Sequence, residues 1–181
     1  RQIARWSKQY KDSETTLIPE MDNLIEWLPQ NIPPGEETSI VHGDFRLDNM
    51  VFDKNSNEVI AILDWELSTL GHPIADFTYH MMTWRMPLGV QGIGILGANL
   101  DELNIPNENE YAEAYYQKTN RNEIHNWDFF LAYNMFRLAG ITQGIAGRVR
   151  DGTASSDQAK QYGAFVPILS QMAWKIVENI K

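Results

Sequence analysis

The chain contains no cysteine. Disulfides and thiolate metal centres are therefore excluded, and the composition fits a reducing compartment such as the cytoplasm. No apolar run approaches the ~20 residues that a membrane span requires. Basic residues are outnumbered, 15 Lys and Arg against 24 Asp and Glu, for a net charge of −9. A basic stripe for a phosphate backbone is lacking, so nucleic acid is not an expected partner. An anionic small molecule remains admissible if metal ions mediate its contact. There is no internal repeat, no low-complexity tail and no signal-peptide pattern. The sequence opens on Arg1 and reads as a section of a longer polypeptide.

What is present is 181 residues, 43% hydrophobic and 22% charged, as expected for one domain or one lobe of a two-lobed protein. Residues 1–17 are polar and read as an opening helix or arm. Pro19 suits the first turn of a helix, and Met21, Leu24, Ile25 and Leu28 recur at helical spacing, which predicts an amphipathic helix over 19–30. The stretch NIPPGEE ends it. A short strand is expected at 38–41, then a polar loop, a strand at 49–53, the turn KNSNE at 54–58 and a strand at 59–65. That last strand is apolar on both faces and is expected to be buried on both. Helices are predicted over 73–83, 108–120, 126–149 and 155–180, with a Gly- and Pro-rich loop between 86 and 106. The expected fold class is α+β, a mostly helical body with a small β-hairpin inserted after its first third.

Five Asp and two His interrupt the apolar pattern between Ile40 and Asp76. Buried carboxylates cost free energy unless a cation or a donor uses them. A hairpin pivoting between Ser56 and Asn57 sets Met50 against Leu63 and Asn49 against Asp64, about 5 Å apart. Asp44 lies on the loop that enters the same open end. Three oxygen-bearing side chains then converge. A hard cation such as Mg²⁺ prefers such ligands and takes the rest from water and substrate phosphates. The spacing His42-x-Asp44-x-x-x-x-Asn49, with Asp64 beyond a hairpin, is that of a kinase base and two metal ligands. Asp48 and Asp53 read as turn or cap residues, and His72 and His80 as structural. A metal-dependent hydrolase built on His42, Asp44 and Asp64 is disfavoured, because zinc would want more nitrogen ligands.

HGDFRLDN, followed by ILDWE and GHPIAD, resembles the aminoglycoside phosphotransferase and choline kinase family, of protein-kinase-like fold. The blocks RWSKQYKDSETTLIPEMDNLIEWLP, LDWELSTLGHP and NWDFFLAYNMFRLAGITQGIAGR look like the branch that includes domains fused, in some animal proteins, to acyl-CoA dehydrogenases. The likeness covers nearly the whole chain and fits the carboxyl-terminal lobe, with residues 1–181 as a single lobe. It implies Asp44 as catalytic base and Asn49 and Asp64 as Mg²⁺ ligands. It implies Arg46 as a cation steadying the transferring phosphoryl group, His42 as a brace of the loop, Asp76 as a carboxylate bonded back to that loop, and Glu66 in support. ATP and Mg²⁺ are the implied cofactors and a small-molecule hydroxyl the acceptor. The branch favours a hydroxyacyl compound, free or as a CoA thioester, over an antibiotic. One feature departs from the pattern. No Gly-rich phosphate loop or strand Lys precedes the catalytic set, and GVQGIGILG (89–97) follows it. The amino-terminal lobe that clamps ATP is then expected in cis or in trans. A non-catalytic, pseudokinase-like module that binds a ligand or partner is the alternative reading.

On the helix over 126–149, Trp127, Phe130, Leu131, Asn134 and Leu138 form a core-like stripe. Arg137, Gln143 and Arg148 share that helix and stand as candidates for acceptor contact, as do the 86–106 loop and the Trp84–Arg85 pair. Arg46 stays open between catalysis and a surface ion pair.

Overall fold

The computed structural model describes residues 1–35, 37–89, 94–121, 126–154 and 159–180. Its longest element is the helix Trp127–Arg150, α5 in chain order. From Phe129 to Gly140 every residue except Tyr133 is buried. A helix apolar around most of its circumference belongs at the centre of a body rather than on its surface, so the expected stripe understates its role. Helices α1 (Gln2–Ser13), α3 (Pro73–Met81) and α7 (Phe165–Glu178) pack on it, and α2 (Pro19–Gln30) packs on α7. Tyr10, Met21, Leu24, Leu131, Phe136 and Leu169 are fully buried between these helices. Each such side chain contributes roughly 1.5–3 kcal/mol. No helix among the described residues is long and apolar enough to cross a membrane.

Local signals account for most helix boundaries. Pro19 stands in the first turn of α2. Asn107 and Glu110 cap each other's backbone at the start of α4 (Glu108–Thr119). The segment expected as one helix over 155–180 is instead a short α6 (Ala159–Tyr162) and α7, with residues 155–158 outside the described set. The break falls at Gly163 and Ala164. Glycine weakens a helix interior, and Pro167 is tolerated only near a helix start.

Among the described residues four short strands make two separate antiparallel ladders. β2 (Met50–Phe52) and β3 (Val59–Ile62) form the expected hairpin. β1 (Ser39–Val41) pairs with β4 (Thr69–Gly71), a strand that three residues of unpatterned sequence do not announce. The burial expected for the strand over 59–65 is not found: Val59 is 47% and Ile60 62% exposed. The hairpin is only two strands wide, and no layer of the described residues covers it.

Two predictions follow from the packing. Gly147 lets α5 approach α1, since a Cβ there would lie 2.8 Å from Ser13 Cβ and 3.2 Å from the Ser13 carbonyl oxygen. Gly147→Ala gains about 1 kcal/mol of helix propensity. It should still lose about 1–3 kcal/mol from overpacking. Urea denaturation decides the sign, and an unmoved or raised midpoint would mean that α1 withdraws freely. His80 sits among Phe45, Trp84 and Tyr111, and burial holds its pKa below the ordinary 6.5. The unfolded chain therefore binds the proton first, and stability should fall as pH drops below about 6.5. Melting temperatures between pH 8 and pH 5 should show this slope, and His80→Gln should flatten it.

Candidate active site

The two ladders lie on either side of a pair of polar loops. The first, residues 42–49, leaves β1 and ends in a short 3₁₀ turn, Leu47–Asn49, before β2. The second, residues 63–68, leaves β3, turns through Trp65–Leu67 and enters β4. Because β1 pairs with β4 and β2 with β3, the loops must run side by side.

Asp76 fixes the first loop from below. It stands in the first turn of α3, and its two carboxylate oxygens accept from His42 N at 2.6 Å and Gly43 N at 2.8 Å. His42 is 3% exposed. Its Nδ1 accepts from Asp44 N at 3.2 Å and its Nε2 lies 2.8 Å from the Leu63 carbonyl. A neutral ring protonated on Nε2 satisfies both contacts. His42 thus stitches the two loops together and is a brace rather than a metal ligand. Gly43 is required by two constraints. Its φ is +85°, and a Cβ would meet the Leu67 carbonyl oxygen at 2.5 Å. Its own carbonyl accepts from Arg137 Nη2.

Asp44 and Asn49 are brought together. Asn49 Nδ2 donates to the Asp44 backbone oxygen at 2.8 Å and to Asp44 Oδ2 at 3.0 Å. Its amide oxygen is the end with the character of a metal ligand. Tyr79, 5% exposed on α3, faces Asp44. Burial raises the pKa of its hydroxyl well above the ordinary value, and the Asp44 carboxylate adds to the shift by charge and by hydrogen bonding.

The register at the open end of the hairpin differs from expectation. Met50 pairs with Ile62 and Val51 with Ala61, and the Leu63 amide donates to the Asn49 carbonyl at 2.8 Å. Asn49 therefore faces Leu63, and Asp64 lies one residue beyond the ladder. A bulge at Val51/Phe52 and a tight turn cause the slip. In that turn Asp53 Oδ1 accepts from the Asn55 and Ser56 amides, as its reading as a turn residue expects. Asp64 has a left-handed backbone, φ 63° and ψ 56°, which is costly for a residue other than Gly or Asn and is found at functional turns. Asp64 and Glu66 are exposed. Among the described residues no group of three or more His, Asp or Glu side chains is placed to hold a metal. The available donors are the Asn49 amide oxygen and the Asp64 carboxylate, both hard and few, as Mg²⁺ bound through a nucleotide would use.

Arg46 pairs with Asp48. Burial works against its charge, but Asp48, with Asp44 adding, raises its pKa on balance. His72 caps α3 and stacks on Phe130, in the structural role expected. Trp84 Nε1 donates to the Pro106 carbonyl, and Arg85 pairs with Glu108 and Asp128, so both tie the 86–106 loop to the body. Gln143 is 1% exposed and holds Ser13 and Thr15. Arg148 is exposed. The middle of GVQGIGILG, residues 90–93, lies outside the described residues. Sequence reasoning missed Tyr79 and the loop contact of Arg137. The one signal for Arg137 was a charge inside the apolar run MFRLAG.

A strand, an H-x-D-x-x-x-x-N loop, a hairpin and a second Asp in a tight turn stand in the order that a kinase-like phosphotransferase would need. The phosphotransferase enzyme family model matches residues 1–118, and the chain belongs to that family. Its structure is similar to a crystal structure from Ralstonia eutropha JMP134 described as a "putative aminoglycoside phosphotransferase", with a TM-score of 0.95 and 51% identity, covering 100% of this chain and 55% of that one. It is 42% identical over 175 residues to acyl-CoA dehydrogenase family member 10 of Mus musculus, which is 96% of this chain and 16% of that protein. It is 39% identical over 173 residues to acyl-CoA dehydrogenase family member 11 of Homo sapiens, 94% of this chain and 22% of that one. The chain thus spans less than a quarter of the length of these curated relatives.

Gly43→Ala should displace the loop against Leu67. Turnover should fall by about 10²-fold, as a misplaced reacting group costs, while circular dichroism keeps the helical signal. Unchanged turnover would mean that the loop tolerates a second conformation.

Proposed function

We propose that this chain is the catalytic lobe of an ATP- and Mg²⁺-dependent phosphotransferase acting on the hydroxyl of a small molecule. The observation that carries the reading is the Asn49 amide joined to both the carbonyl and the carboxylate of Asp44, on a loop pinned by Asp76. Asp44 is the base. As the acceptor oxygen forms its bond to the γ-phosphorus and the bond to the ADP oxygen breaks, the hydroxyl proton passes to the Asp44 carboxylate. Asn49 and Asp64 would hold Mg²⁺, which when bound neutralises charge on the phosphates. Arg46, on the same loop, would swing from Asp48 to the transferring phosphoryl group. His42, Asp76 and Glu66 support the loops. No covalent enzyme intermediate is needed, because positioning and electrostatics suffice.

The lobe that clamps the nucleotide is assigned to polypeptide outside these residues, in cis or in trans. The exposed apolar pair Phe52 and Val59, opposite each other across the hairpin, supports this as the closing surface. For the acceptor, a hydroxyacyl compound, free or as a CoA thioester, is favoured over a polycation. A cleft of about 420 Å³ opens beside Phe45, between Phe77, Tyr111, Tyr115 and Lys118. Asp76 is the carboxylate in its wall, and it is committed to backbone amides. A polycation would find little to pair with there, whereas an apolar chain with an anionic end would find aromatic walls and a lysine. A cytoplasmic location accords with the cysteine-free composition.

The test is ADP release by the chain with its nucleotide lobe, in Mg²⁺, against hydroxyacyl-CoAs, free hydroxy acids, choline and aminoglycosides. Asp44→Asn should lower turnover by about 10²–10⁴-fold with nucleotide affinity nearly intact. Asp64→Asn should instead weaken Mg²⁺-nucleotide binding. Wild-type turnover in both variants would refute the assignment.

A further inference from the structure

Arg137 is 8% exposed at the middle of the central helix. A buried guanidinium is costly unless its donors and its charge are met. The Arg137 guanidinium lies between two rings, 5.4 Å from the centroid of Trp6 on α1 and 4.8 Å from that of Tyr79 on α3. Its Nη2 donates to the carbonyl of Gly43, the residue before Asp44. Gly43 is consequently held at both of its backbone polar groups, its N–H by Asp76 and its carbonyl by Arg137. A cleft of about 230 Å³ opens beside it, with Asp76, Asn134, Arg137 and Trp6 also in its lining. Tyr79 and Trp6 supply the two rings against which the guanidinium lies.

We propose that Arg137 positions the catalytic loop by fixing the Gly43 carbonyl, while the rings of Trp6 and Tyr79 hold its guanidinium in place. The proposal rests on the reading of Asp44 as the base. Arg137 is then a positioning residue rather than an acceptor contact. It ties the loop to the buried helix α5. A lysine cannot replace it, because an ammonium neither stacks flat between two rings nor presents a planar fork.

The experiment uses the natural full-length polypeptide with Mg·ATP as the probe. Arg137→Lys should lower Mg·ATP turnover by about 10–10²-fold with the KM for ATP changed less than about twofold. In hydrogen–deuterium exchange it should speed exchange in residues 42–49 by about tenfold or more, while peptides from α5 and α7 keep their protection. Exchange that rises equally in α5 and α7 would make Arg137 a plain core residue and overturn the proposal, as would exchange unchanged in the loop. Wild-type turnover in Arg137→Lys would overturn it as well. Asp44→Asn is run in parallel. If it turns over normally while Arg137→Lys still loosens the loop, the clamp stands and the assignment of the base falls.

Discussion

Asp76 accepts the amide protons of both His42 and Gly43, and three stretches of chain take their places from it. Hydrogen bonds to a charged acceptor are worth about 1.5–3 kcal/mol each, roughly twice a neutral pair. The carboxylate is itself fixed, because α3 is bonded to α5 through Asn134, which donates to the Ala75 carbonyl and to Thr78 Oγ1. Rigidity therefore passes from the buried helix to α3, from α3 to the loop, and through the His42 ring to the Leu63 carbonyl at the foot of the hairpin. The two ladders share no strand with each other. The polar contacts of one carboxylate and one imidazole hold the gap between them.

The parts of this design that obey a local rule were legible in the sequence. Helices over 19–30, 108–120 and 126–149 are expected, the first from apolar spacing and Pro19 and the last from its apolar stripe. The hairpin, its turn at Asp53 and the meeting of Asp44 with Asn49 follow from spacing as well. The failures share a cause. The bulge at Val51/Phe52 shifts the register by one residue and leaves no mark in the composition. β4 is too short to show alternation. The apolar run over 59–65 predicted burial, but burial depends on a covering layer that local sequence does not describe. The contact of Arg137 with Gly43 joins residues 94 apart, a distance over which one sequence carries no geometric information.

The family is a statement about how a phosphoryl group is moved, and it leaves open what receives it. The loop over 42–49 is held by contacts from Asp76, from the Leu63 carbonyl and from Arg137. The cleft beside Phe45 is lined on its far side by Tyr111, Ala114, Tyr115 and Lys118 of α4. None of those four residues supplies these contacts, so that wall can change while the loop stays held.

The clamp on Gly43 also sets an order of events on the ribosome. At a synthesis rate of about 5–20 residues per second, the 94 residues between Gly43 and Arg137 take roughly 5–20 s to emerge. Asp76, 33 residues after Gly43, emerges about a third of the way through that interval, and Arg137 only at its end. The nascent chain therefore passes through a stage in which its acidic loop is held by one end only. The last clasp closes when α5 leaves the exit tunnel and docks between α1 and α3. The loop that carries Asp44 is then fixed late in synthesis, by a helix far downstream of it.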